Sequence, residues 1–218
     1  MAKLSSRHTS DIYNEFKDLT GAEPRELARF FERNQTQIQN LDTTEYFDLQ
    51  VLYLIAIFEL GSYRKLLSNV DEAIEISIMH NIKEHNGTDV FHKLLFMKGE
   101  SYFQIMDFDK ARYVFFELLK MDKRNDDYKQ ALEKTYRKII PASVKNTKAL
   151  SILFFILAAI VIAFEVLVVK HFFADYTQHA MITRNVLFVL GWLSMIGAEL
   201  YHYFRVQYDV RNIIKRKM

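Results

Sequence analysis

Cysteine is absent from the 218 residues, and there are only two prolines and six glycines. Without cysteine there are no disulfides, zinc–thiolate sites or cysteine nucleophiles, which agrees with a reducing compartment. So few breakers, with no alternating apolar and polar runs, argue against sheets and for an all-α chain. Charge of one sign is also missing: 22 Lys and Arg stand against 23 Asp and Glu before residue 149. A near-neutral region with mixed charges has no electrostatic footprint for nucleic acid. Residues 1–16 hold no apolar core of the kind a secretory signal needs. No glycine-rich phosphate loop or G-x-S-x-G elbow is present, so no enzymatic activity and no cofactor are expected. The seven histidines are scattered, and none forms the i, i+4 pair with a glutamate that a helical zinc protease site needs. No metal site is expected from them.

What the chain does have is two long apolar stretches, 149–169 and 186–204, both near its C-terminal end. The first carries a single charge, Glu165. At about 1.5 Å per residue, its 21 residues can cross the roughly 30 Å hydrocarbon core of a bilayer. The expected organisation is a soluble helical domain over 1–141, then a membrane hairpin over 142–218. Basic residues fix its orientation. Five (Lys134, Arg137, Lys138, Lys145, Lys148) precede the first span, and five (Arg205, Arg211, Lys215, Arg216, Lys217) follow the second. The intervening 170–184 holds only Lys170 and Arg184. This predicts both termini in the cytoplasm, an outward loop over 170–184 and a basic cytoplasmic tail. Phe172, Phe173 and Tyr176 outside, and Tyr201, Tyr203 and Tyr208 inside, fit the aromatic belts of such a hairpin.

Each span has a face of small residues. Ser151, Ala158 and Glu165 recur every seven residues; Gly191, Ser194, Ala198 and His202 line up on the second. Small residues let helices approach closely in lipid, so pairing within one hairpin is expected, with pairing between copies the alternative. Glu165 and Glu199 are ionisable groups inside spans and therefore candidate functional residues. They lie toward opposite leaflets and cannot form one carboxylate pair. Lys170 or Arg184 is the expected partner of Glu165, while His202 and Arg205 lie near Glu199.

Before the spans, the periodicity predicts seven helices: 10–19, 24–40, 44–60, 63–80, 90–105, 109–121 and 126–140. The third is apolar enough to be central to the core, yet Glu45, Asp48 and Glu59 leave too short an uncharged run for it to span. Polar residues 84–89 read as a loop. Within this half, Gly99 and Tyr102 are followed by Ala111 and Phe115, with Asp107-Phe108-Asp109-Lys110 between them.

That spacing resembles a tetratricopeptide repeat, best matched over 92–125. Leu95, Lys98 and Lys123 depart from the family's Trp, Leu and Pro. Leu60-Gly61-Ser62-Tyr63 resembles the same interhelix turn, 45 residues before its counterpart, and helix 126–140 would cap the stack. The same intervals are also open to an unrelated helical bundle. The resemblance implies a stack that binds a peptide or helix in a groove, with Lys98, Tyr102 and Tyr136 as contact residues. Two functions follow as expectations. One is a membrane-anchored, non-enzymatic adaptor that holds a protein partner. The other is a small subunit of a channel-like or ion-coupled complex, a homo-oligomer or otherwise, in which the hairpin glutamates work. Lipid is a partner in either case.

Overall fold

A computed structural model describes residues 11–215, apart from 20, 22, 86 and 173. Of the residues used above, Ser10, Asn86, Phe173, Arg216 and Lys217 lie outside the described ones. The chain is nearly all helical and divides into two compact units, one ending at Thr135 and the other beginning at Tyr136.

In the first unit, residues 11–18 form α1. It is followed by α2 (Pro24–Arg33), α3 (Gln35–Ile38), α4 (Thr43–Glu59) and α5 (Tyr63–Met79). After these come α6 (Val90–Gln104), α7 (Phe108–Met121) and α8 (Asp126–Lys138), the last crossing into the second unit. Proline at the first position opens α2, where a missing N–H costs nothing. Aspartate side chains open α4, α6 and α7: Asp42, Asp89 and Asp107 each accept from a backbone N–H three residues on. One expected helix, 24–40, is broken at Asn34 into α2 and α3.

Three helix ends share one form. Gly61, Asn81 and Met106 have φ of 70°, 52° and 65°, and each lets the next N–H reach back to a carbonyl five residues earlier. These are Schellman stops, where a left-handed residue satisfies the last carbonyls of the helix. After Gly61 and Met106 the next helix begins at once, with an aromatic residue, Tyr63 or Phe108, at its first position. After Asn81 a short segment intervenes. Part of the expected loop there is a two-residue antiparallel ladder, β1 (Glu84–His85) with β2 (Thr88–Asp89), which periodicity over so few residues cannot signal.

Packing runs in chain order: α2 on α4, α4 on α5, α5 on α6, α6 on α7. Helix α4 is buried on nearly every side, with Phe47, Leu49, Val51, Leu54 and Ile57 in the core and Tyr53 stacked on Phe31. Between α6 and α7 the close approach is made at Gly99. A Cβ there would meet the Phe115 ring at 2.7 Å, and Ala111 and Phe115 are fully buried.

The second unit is a helical hairpin. Helix α9 (Ala142–Phe164) continues through a π-helical segment, Glu165–Val169, into α10 (Lys170–Phe172). A 3-10 turn, Ala174–Tyr176, leads to α11 (Thr177–Lys215). Two helices, Ala142–Phe172 and Thr177–Ile213, are long and apolar enough to cross a membrane. Both extend beyond the apolar stretches, so most of the expected 170–184 loop is helix. Hydropathy marks where apolar side chains stop; intrahelical hydrogen bonds can continue past that point.

The Gly99 contact makes a direct prediction. Gly99→Val forces the Phe115 ring to move and should lower stability by about 1–3 kcal/mol. Phe115→Leu in the same chain should recover part of the loss. Thermal melts of the detergent-solubilised full chain decide it; a melt unchanged by the valine would refute the close approach.

Candidate functional site

The strongest constellation lies in the second unit, along the line where α9 and α11 pack. Val144, Ser151, Ala158 and Glu165 repeat every seven residues and are all buried. On α11 the buried residues are Gly191, Ala198, His202, Val206 and Val210, with Ser194 half-buried. The two expected small-residue stripes therefore form the inner faces of the hairpin, while Ile152, Ile156, Ile160, Val189, Leu193 and Ile196 point outward. Gly191 receives the Phe155 ring, which a Cβ would meet at 2.8 Å, and Phe155 also packs edge-on against Phe188 and Trp192. Ser194 Oγ donates to the Gly191 carbonyl, which removes an unmatched hydroxyl. Where water is excluded, such close packing is what holds helices together.

Two ion pairs tie the helices at opposite ends of the hairpin. Near the turn, Arg184 Nη1 donates to Glu165 Oε2 at 3.3 Å. At the other end, Lys148 Nζ donates to Glu199 Oε1 at 2.5 Å. Only 3% of Glu165 is exposed, and a carboxylate so enclosed requires a partner. Glu199 is different: its side chain is 61% exposed on the outside of the hairpin rather than enclosed between the helices. Of the two expected partners of Glu165, Lys170 and Arg184, the structure shows Arg184; Lys148 is not an expected partner of Glu199, from which it lies 51 residues away. Glu165 opens the π-helical segment, and the extra residue in that turn leaves both Glu165 and Val169 buried.

His202 Nε2 lies 3.2 Å from the Arg137 carbonyl, so that nitrogen carries the proton and donates. Its Nδ1 is buried and has no partner among the described residues. The Arg137 guanidinium lies 5.5 Å from the centre of the Tyr203 ring.

The expected groove residues are placed differently from one another. Lys98 is held in an ion pair with Asp71 at 2.6 Å, joining α6 to α5. Tyr102 is half-buried, with the Lys110 ammonium 5.3 Å from its ring centre. Tyr136, also half-buried, is the first residue of the second unit.

Sequence reasoning missed a polar cluster around Asp48. Tyr13 donates to Oδ2 at 2.6 Å, Lys17 donates to the same oxygen at 2.7 Å, and His85 Nε2 meets Oδ1. One carboxylate thus ties α1 and the β1–β2 hairpin to α4. Burial pushes the Asp48 carboxyl up, but hydrogen bonds from Lys17, Tyr13 and His85 outweigh it and hold it below its ordinary value. Burial, then the Asp48 hydrogen bond, pushes the Tyr13 phenol up to about 12. At the other strand, Asp89 accepts from both the backbone N–H and Nδ1 of His92, at 3.0 and 2.8 Å. The signal for the first cluster was Asp48 itself, an acid in an otherwise apolar stretch of α4. Its partners lie 31 to 37 residues away and could not be assigned from spacing. Among the described residues no group of three or more His, Cys, Asp or Glu is placed to hold a metal ion.

Compared with family models, with curated proteins and with solved structures, the chain has no match in any of the three.

The Asp48 cluster sets a pH dependence. A carboxyl whose folded value is lowered contributes stability above its unfolded value, near 4, and that stability is lost as pH falls through the folded value. Asp48→Asn should cost about 1–3 kcal/mol at neutral pH and flatten the loss of stability on acidification. Denaturant titrations of the full chain at neutral and acidic pH test this. Equal acid sensitivity in both proteins would rule the cluster out as its source.

Proposed function

We propose that this chain is a two-span integral membrane protein and a non-enzymatic adaptor. Its tetratricopeptide-like helical stack would hold a protein partner beside the bilayer. The α6–α7 pair is the observation that carries the reading. Gly99 lies under Phe115, Ala111 is fully buried, and the turn between the two helices is a Schellman stop running straight into the next helix. The α4–α5 turn at Gly61 has the same stop and the same aromatic first residue, which supports a second, degenerate member of the series. Helices stacked in chain order form an extended surface along which a peptide or helix can lie.

The hairpin then serves as the anchor. Its outer faces are apolar and its inner faces are matched to each other, as a lipid-embedded pair requires. The distribution of basic residues supports both termini in the cytoplasm and the turn between the spans outside. Because both carboxylates in the spans already meet a cation of the facing helix, neither is presented as an unpaired proton or ion carrier.

Two experiments test this reading. Replacing 142–213 with an unrelated two-span anchor should leave the crosslinked protein partner and the cellular activity intact. If that exchange abolishes them, and Glu165→Gln or Glu199→Gln does the same at normal membrane expression, the hairpin is the working part and the adaptor reading is lost. Orientation is accessible because the chain has no cysteine. In intact cells a membrane-impermeant maleimide should label Asp175→Cys, and should reach Asn125→Cys only after lysis; the reverse pattern would invert the topology.

A further inference from the structure

We propose that the end of the hairpin nearer its termini is a binding surface for anionic phospholipid headgroups. The inference rests on the two-span reading and concerns only the second unit. Residues 136–148 and 199–211 supply six cations against two carboxylates, whereas 165–184, at the turn, has two of each. Three segments bring these cations together. The His202–Arg137 hydrogen bond places the Arg137–Lys138 segment beside α11. Helix α9 begins seven residues before the apolar stretch and carries Lys145 and Lys148 there. Helix α11 runs on past Phe204 and carries Arg205 and Arg211.

Packing continues through this extension. Val144, Val206 and Val210 stay buried, so the cations stand on ordered helices. Lys145 and Arg211 each follow a buried valine directly and are exposed. Lys148 pairs with Glu199, and Arg205 faces Asp209 at 3.9 Å. Lys138, Lys145 and Arg211 are exposed and have no acidic partner among the described residues. They are the cations left for an external anion.

Depth agrees with this assignment. The Lys148–Glu199 pair sets a common level on the two helices. Rise along the helix puts Lys145 about 4.5 Å and Arg205 about 9 Å further toward the termini. The polar layer on each side of the hydrocarbon is roughly 5–8 Å deep, and its field reaches about a Debye length beyond, which takes in Arg211. Exposed Tyr201, Tyr203 and Tyr208 line the same region, as interfacial aromatics do. Each basic residue at an anionic surface adds to binding, so several ordered in one plane would gather such lipids around the hairpin.

Trp192, the only tryptophan, is 48% exposed on a span and serves as an energy-transfer donor. The full chain is reconstituted in phosphatidylcholine vesicles containing a small fraction of pyrene-acyl phosphatidylglycerol or pyrene-acyl phosphatidylcholine. At low salt, transfer to the phosphatidylglycerol should exceed transfer to phosphatidylcholine about two-fold, and the ratio should approach one at roughly 0.5 M salt, where screening is short-ranged. The triple variant Lys138→Gln, Lys145→Gln, Arg211→Gln should show a ratio near one already at low salt. A wild-type ratio of one, or a ratio unchanged in the variant, overturns the proposal. Loss of the preference with inorganic phosphate at matched ionic strength would assign the surface to free phosphate and overturn it as a lipid site. No transfer to either lipid would mean that Trp192 is not in the bilayer, so the two-span reading itself would fail.

Discussion

Two glycines, one in each unit, each receive a phenylalanine ring from the neighbouring helix: Gly99 takes Phe115, and Gly191 takes Phe155. Helix separation at a crossing is set by the side chains caught between the backbones. A glycine there lets a whole ring occupy the space a Cβ would have taken. Beside Gly99 and Phe115 in the first unit, Ala111 is fully buried; around Gly191, Ser151, Ala158 and Ala198 extend the inner faces. The setting changes the energetics of the contact. In the first unit, burying the ring removes apolar surface from water. For a hairpin set in lipid, the surroundings are as apolar as the ring, so close van der Waals contact has to provide the attraction.

Polar groups follow the same logic of enclosure. Two enclosed carboxylates, Asp48 in the first unit and Glu165 in the second, are each met by a cation from another segment. Asp48 also accepts from Tyr13 and meets His85, so one side chain organises three pieces of chain. A partner removed from such a site leaves a buried charge without compensation, which costs more than the intact pair contributes. The Lys148–Glu199 pair, on the outside of the hairpin, fixes register: it sets which turn of α9 stands beside which turn of α11.

The sequence was most legible where structure repeats with a short period. The apolar stretches, the seven-residue stripe from Ser151 to Glu165, and helix boundaries near Gly61 and Pro141 depend on neighbours within a few residues. Three kinds of feature were hidden. Helix ends were hidden where hydropathy and hydrogen bonding part company, so that α10 and the start of α11 occupy an expected loop. The stops at Asn81 and Met106 were hidden because neither is the glycine that usually marks a left-handed residue. Long-range polar pairs were hidden because any of several lysines could have met Glu199, and any of several donors Asp48. Lys98 shows the same limit from the other side. The repeat resemblance implies a groove contact for it, and its spacing gives no sign of the ion pair it makes with Asp71 on the preceding helix.

On the proposed reading these contacts also divide the work between the two units. A stack packed in chain order leaves the sides of its helices available along its length, and no single pair of residues need be reserved for a ligand. The hairpin has the opposite economy: its inner faces are consumed by Phe155, Ser151, Ala158 and two ion pairs, leaving an apolar outer belt and a basic rim. An apolar belt recognises only hydrocarbon, and a basic rim recognises only charge. Neither can select one protein from many. In the proposed adaptor, selectivity for a protein partner comes from the stack, where shape and mixed polarity vary along the surface, and the hairpin sets the membrane at which that selection takes place.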